Sequence, residues 1–243
     1  ESGVVAFERV AVSRQRRLEK ALGRRFAGPA DLGPFGASAM DSEKRQLTLA
    51  GLAALVPDAG CGHPALRIRF RRCLSARASF EAGIPWTLNV WADGFEDAMS
   101  RTHDAFAGLG EGASPLIQEL VVNAVAHRSY APQDHDRPIE VEVFLDAVRV
   151  TSPGGVLQRV GVNEDGSPAG VYHRNPRLVG MLTQLGFMTG HGRGVDLLKY
   201  SGALAGFGRA SFSHEDEAVS VTLAVDRDRL GAPGRQGTES GAR

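Results

Sequence analysis

One order of elements constrains this chain more than its composition does. A helix carrying Glu119, Asn123 and His127 comes first. A strand ending at Gly154-Gly155 follows it, and then a glycine-rich stretch, Gly190 to Gly194, that opens another helix. Ser114-Pro115 reads as an N-cap with proline at the first helical position, so the first helix should run from there to about His127. Ile139–Val150 is read as strand, broken by a turn near Asp146. Asn175-Pro176 should start a second helix, with Gly186 placed to stop it. The helix opened by the glycine run should reach Tyr200. Strands near Ala210–His214 and Ala218–Val225 close the block.

Glu119, Asn123 and His127 are spaced i, i+4, i+8, which places them on one polar stripe beside Leu120, Val121, Ala124 and Val125. A carboxamide oxygen is a hard ligand suited to Mg²⁺. A neighbouring carboxylate can orient or deprotonate a water that attacks a phosphoryl group. The plainer reading, an amphipathic helix edge facing solvent, accounts for E-x-x-x-N alone. Two further features bear on the choice. Ser152-Pro153-Gly154-Gly155 makes a tight loop on which a ring could lie, and Gly190-x-Gly192-x-Gly194 offers backbone N–H groups at a helix entrance, where phosphate is favoured. The layout is not that of a Rossmann site, and the chain has no P-loop motif.

The motifs as a set resemble a known family. Glu119-Leu-Val-Val-Asn123-Ala-Val-Ala-His127-Arg128-Ser129-Tyr130 is similar to the E-x-x-x-N-A-x-x-H-R-D-Y signature of RecG-like C-terminal ATPases of the GHKL superfamily. Asp146-Ala-Val-Arg-Val-Thr-Ser152-Pro-Gly-Gly155 resembles D-R-I-E-I-x-N-P-G-G, Arg174-Asn175-Pro176 resembles R-N-P, and Gly192-Arg193-Gly194-Val195 resembles G-x-G-I. The likeness spans about residues 46–226 and is strongest from Ser114 to Leu198. It implies a Bergerat-type two-layer α/β sandwich with a mixed sheet, preceded by a small α+β segment. It also implies an ATP- and Mg²⁺-binding domain of a transcriptional regulator, of the kind joined to AlbA/Schlafen-type DNA-binding domains, with slow or vestigial hydrolysis. Glu119 would position the hydrolytic water and Asn123 would hold Mg²⁺. Ser152, Gly154 and Gly155 would border the adenine, while Gly190, Gly192, Arg193 and Gly194 would cover the phosphates. His127 either approaches the phosphates or is a structural histidine at a helix end. A homodimer is the implied assembly.

The departures from the pattern carry expectations of their own. Ser152 stands where the family has Asn, and a hydroxyl has shorter reach and no charge. Weaker ATP binding and a reduced preference over GTP are therefore expected, with Asp146 as the alternative acceptor for the base. Ser129 replaces the Asp of H-R-D-Y, and Thr189 stands where Glu is expected. The rival reading is a regulatory or dimerisation module that keeps the fold and has lost ATP.

Composition narrows the classes. Twenty-eight basic residues balance twenty-eight acidic ones, which excludes a globally basic nucleic-acid binder and leaves only local patches for DNA. One such patch is Arg67, Arg69 and Arg71 on the alternating run Leu66–Arg71. That run reads either as an arginine-guarded edge strand or as a nucleic-acid surface. The other is residues 1–30, with seven basic residues against three acidic, including a helix at Val12–Leu22. Thirty glycines in 243 residues, against a usual share of about 7%, require tight turns or backbone-lined loops. Cys61 and Cys73 cannot make a disulfide framework, and with His63 they do not complete a metal site. No apolar run is long enough to span a membrane, and a cytoplasmic protein is expected. The chain starts at Glu1 without methionine and reads as a fragment or a processed form. The expected division is a basic segment and linker (1–45), an α+β segment (46–112), the nucleotide-binding core (113–226) and a disordered tail (227–243).

Overall fold

A computed structural model describes residues 12–225 apart from 24, 28, 36, 42–43, 74–85, 87, 107–112, 158–159, 171, 189–206 and 216. The described elements are α1 (Val12–Leu22), the hairpin β1 (Ser38–Asp41) and β2 (Lys44–Leu47), α2 (Leu49–Leu55), β3 (Ile68–Arg72) and β4 (Leu88–Ala92). They continue with α3 (Phe95–Phe106), α4 (Ala113–His127), β5 (Ile139–Val143), β6 (Ala147–Pro153), α5 (Pro176–Gln184), β7 (Phe207–Glu215) and β8 (Ala218–Val225). Six strands form one sheet in the order β4-β3-β5-β6-β8-β7. Only the β3–β5 pair is parallel, so the sheet is mixed.

Strict alternation gives the sheet two unlike faces. Ile68, Phe70, Ile139, Val141, Val143, Val148, Val150 and Leu223 are buried. They share one cluster with Leu120 and Val121 of α4, Leu52 of α2, Ala98 of α3 and Leu178 and Leu182 of α5. Each such side chain, fully buried, contributes about 1.5–3 kcal/mol. The opposite face is polar across five strands. One row runs Arg69, Glu140, Thr151, Ser220, Ser213 and the next runs Arg71, Glu142, Arg149, Thr222, Ser211. Among the described residues helices cover one face, and the architecture is the two-layer α/β sandwich that the motifs imply.

β3 lies inside the sheet, and β4 is the edge on that side. The arginines of β3 are thus not an edge guard; they are placed opposite the glutamates of β5. Residues 27–45, whose Gly-Pro pairs suggest a linker, hold a 3₁₀ turn (Pro29–Phe35) and part of the β1–β2 hairpin. Leu32 and Ala37 from this stretch, and Leu18 from α1, join the main core. The basic helix is also less solvated than its charge suggests: Arg14 is 4% exposed and donates to the Ala54 carbonyl at 2.7 Å. Arg17 donates to the carbonyl of Leu185 at 3.2 Å.

Local signals explain the helix ends. The Thr48 side chain accepts from Gly51 N at 3.1 Å and starts α2. Pro176 opens α5, and Gly186, at φ +77°, follows its last cap residue as expected. α4 begins at Ala113, one residue before the serine expected to cap it.

Candidate functional site

The site forms where α4 crosses the end of β6. Ile117, Leu120, Val121 and Ala124 bury one side of α4, which leaves Glu119, Asn123 and His127 half-buried along its margin. Asn123 Nδ2 donates to Glu119 Oε1 at 2.9 Å. With its nitrogen turned to the carboxylate, the amide presents Oδ1 as the atom it can offer. An oxygen donor beside a carboxylate fits Mg²⁺, which takes one or two protein oxygens and completes its shell with waters and phosphates.

Ser152 lies on the helix-covered face of β6, two residues beyond Val150. Its Oγ donates to the Ala124 carbonyl at 3.1 Å, and that same carbonyl accepts the α-helical bond from Arg128 N at 2.9 Å. A hydroxyl has a single proton, so toward any other partner Ser152 now acts as an acceptor. An exocyclic amine can use such an oxygen; the carbonyl at the same place on guanine cannot.

Gly154 adopts φ +91°, a region costly for side chains with a Cβ. A Cβ there would also stand 2.5 Å from Arg174 Nη1 and 2.5 Å from Ser129 Cβ. Its N–H donates to the Glu217 carbonyl at 2.7 Å, and Ser129 N donates to the Pro153 carbonyl at 2.8 Å. The carbonyl of Gly155 accepts from Arg174 Nη2.

The His127 imidazole stacks on His173, with centroids 5.4 Å apart and planes at 27°. Burial, then the nearby His173 and Arg174, push its pKa down to about 4. Arg128 is fully buried. Its guanidinium donates to the carbonyls of Ser129 (3.0 Å), Asp134 (2.8 Å), Arg137 (2.9 Å) and Ala65. This arginine ties the end of α4 to the turn that precedes β3. Burial lowers its pKa and raises that of Tyr130, whose hydroxyl donates to the Val125 carbonyl at 2.9 Å.

The remaining sequence-predicted residues fall elsewhere. Asp146 sits in the exposed β5–β6 turn, six residues and ~20 Å of extended strand from Ser152. The two do not share a pocket. Gly190, Gly192, Arg193 and Gly194 lie outside the described residues. Arg67, Arg69 and Arg71 occupy the polar side, across the sheet from Ser152. Arg67 pairs with Asp93 at 2.9 Å and Arg69 with Glu140, while Arg71 reaches Glu140 at 3.1 Å and Glu142 at 2.7 Å. Their guanidinium faces lie over Trp91 (4.5 and 5.3 Å) and Trp86 (4.4 Å). Cys61 is exposed and Cys73 buried, and they are not joined in a disulfide.

Two side chains gain roles that the motif alone did not disclose. Asn175 Nδ2 donates to the carbonyls of Ala126 at 3.0 Å and Arg128 at 2.9 Å, and Arg174 grips the Gly154-Gly155 loop. The signal was present as the Arg-Asn-Pro triplet, but its targets are far away in sequence.

Residues 136–223 match the family model described as "putative ATP-dependent DNA helicase recG C-terminal". Over these residues the chain is similar to that RecG-type, ATPase-like family. The RecG-type match takes in β5, β6, α5, β7 and most of β8. It begins after α4, so Glu119, Asn123 and His127 precede it. Among solved structures, the chain is similar to the DIP2311 protein from Corynebacterium diphtheriae, with a TM-score of 0.65 and 18% identity over 92% of this chain. That likeness shows the fold. The match covers 46% of the DIP2311 chain, so this chain spans about half its length. No curated protein matches the sequence.

Proposed function

We propose that this chain is an ATP- and Mg²⁺-binding GHKL-type domain of a RecG-like, AlbA-associated transcriptional regulator, with slow hydrolysis at most. One observation carries the reading: Glu119 and Asn123 bond to each other on α4, and Ser152 bonds to the carbonyl of Ala124, the residue that follows Asn123. Asn123 Oδ1 would hold Mg²⁺, which neutralises charge on the phosphates when bound. Glu119 would orient a water toward the terminal phosphoryl group and take its proton. Ser152 would accept from the base amine, with Gly154 and Gly155 forming the adjoining wall. Gly190, Gly192, Arg193 and Gly194 would lie over the phosphates, completing the site in a homodimer.

No helix among the described residues is long and apolar enough to cross a membrane, and a cytoplasmic setting suits the reading. A role for Arg67, Arg69 and Arg71 on DNA gains less support. Each is paired with an acid, and a neutralised array releases few counterions from a duplex. One observation favours the rival regulatory module: Ser152, which replaces the longer family residue, already bonds to its own protein. Calorimetric titration with ATP, GTP and ADP, with and without Mg²⁺, tests the proposal. Saturable, Mg²⁺-dependent ATP binding is the expected result, and no heat with any nucleotide would leave the rival module standing.

A further inference from the structure

The dipeptide Arg174-Asn175 reaches both walls of the proposed base site from a third element. Asn175 is the N-cap residue of α5, yet its side chain makes no bond to that helix. It spends its amide protons on Ala126 and Arg128, carbonyls at the end of α4 that lack partners within that helix. Arg174 donates to the Gly155 carbonyl, and its guanidinium fills the space that the missing Cβ of Gly154 leaves. His173, just before them, stacks on His127. Three consecutive side chains at the entrance of α5 thus fasten the end of α4 to the loop after β6.

We infer that Arg174 and Asn175 are positioning residues that hold the base end of the nucleotide site in its binding geometry, an inference that rests on the nucleotide reading above. A loop containing a positive-φ glycine followed by a second glycine is intrinsically free to move. Ordering it only when ligand arrives would weaken binding, because that entropy would be lost at that moment. The arginine removes the freedom beforehand. The Glu119–Asn123 pair lies about one to two and a half helical turns before the carbonyls that Asn175 holds. Its Mg²⁺-dependent contribution should therefore survive loss of the fastening.

The test uses the full chain as Arg174→Ala, Arg174→Lys and Asn175→Asp. The last is isosteric but turns an acceptor toward two carbonyls. Amide hydrogen exchange without ligand reads the loop, and calorimetric titration with ATP and GTP, with and without Mg²⁺, reads the site. In Arg174→Ala, exchange at Gly154, whose N–H is bonded to the Glu217 carbonyl, should quicken, ATP affinity should fall about tenfold, and the ATP-to-GTP ratio should shrink. The Mg²⁺ increment should stay. Arg174→Lys, with one donor for Gly155, should recover part of the ratio, and it keeps the test open if Asn175→Asp does not fold. Unchanged Gly154 exchange in Arg174→Ala overturns the inference. So does faster exchange with an unaltered ATP-to-GTP ratio, because the loop would then be held without consequence for the base. A native chain that binds no nucleotide is a different failure, that of the functional reading itself, and the inference falls with it.

Discussion

The Ser152 hydroxyl donates to the Ala124 carbonyl at 3.1 Å, and this bond decides what the serine can offer a base. Its oxygen is left as an acceptor. The native chain should therefore bind ATP in preference to GTP. An unmade buried hydrogen bond costs roughly 1–3 kcal/mol, so Ser152→Ala should lose about tenfold of that preference. Ser152→Asn, with longer reach, should tighten ATP selectively. Titration calorimetry on the three proteins measures both effects. An unchanged ratio in Ser152→Ala would remove Ser152 from the base contact.

Asn123→Ala should abolish the Mg²⁺-dependent part of nucleotide affinity and leave the fold intact, because the side chain is half-exposed and bonds only to Glu119 among the described residues. Glu119→Gln should stop any hydrolysis while binding stays near native, since the amide keeps the shape but cannot take a proton. Mg²⁺ titrations and a phosphate-release assay read the two variants. Brisk hydrolysis in Glu119→Gln would place the catalytic group elsewhere.

Removing the Arg128 guanidinium takes a donor from four carbonyls, of which only that of Asp134 keeps a second one, Arg137 N at 3.2 Å. Unsatisfied buried groups cost about 1–3 kcal/mol each, and the sum rivals the whole stability of an ordinary domain. Arg128→Ala should be insoluble or unfolded, and Arg128→Lys should fold with a clearly lower urea midpoint. A midpoint for Arg128→Lys equal to that of the native protein would refute a stitching role.

His127 has a folded pKa of about 4 against an ordinary value of 6.5. Between these values the unfolded chain binds a proton that the folded chain refuses. The contribution is complete above about pH 6.5, falls as the pH drops toward 4, and levels off below; its full size is at most about 3 kcal/mol. His127→Phe keeps a ring on His173 without a titrating group, so it should lose stability less steeply than the native protein from pH 7 to pH 5. Equal slopes in denaturant melts across that range would disprove the buried neutral imidazole.

Much of this was legible in the sequence because it depends on local pattern. The period-2 alternation at Ile139–Val143 and the Pro176 and Gly186 punctuation of α5 act within a few residues of the atoms they organise. The i, i+4 spacing of Glu119 and Asn123 correctly foretold that they would meet. The roles of Arg128, Arg174 and Asn175 were not legible, because each donates to carbonyls distant in the chain or on another element. An Asn before a helix-opening Pro reads as a cap for its own helix, and only the fold shows that it caps α4. The same limit applies to the β3 arginines, whose glutamate partners lie 71 residues away.

The parallel pairing of β3 with β5 has a consequence for the order in which the molecule can form. Ile68 meets Ile139 and Phe70 meets Val141, so these contacts close a long loop whose entropy must be lost before they return anything. As the chain leaves the ribosome, β3 and β4 can pair early as an antiparallel ribbon. Its inner surface, with Ile68 and Phe70, then stays wet until β5 has been synthesised. A two-stranded ribbon is marginal in water, so that interval is when the nascent chain is most open to aggregation or chaperone capture. Ribosome-stalled chains ending before residue 139 should be far more sensitive to protease at β3 than chains that extend past residue 226.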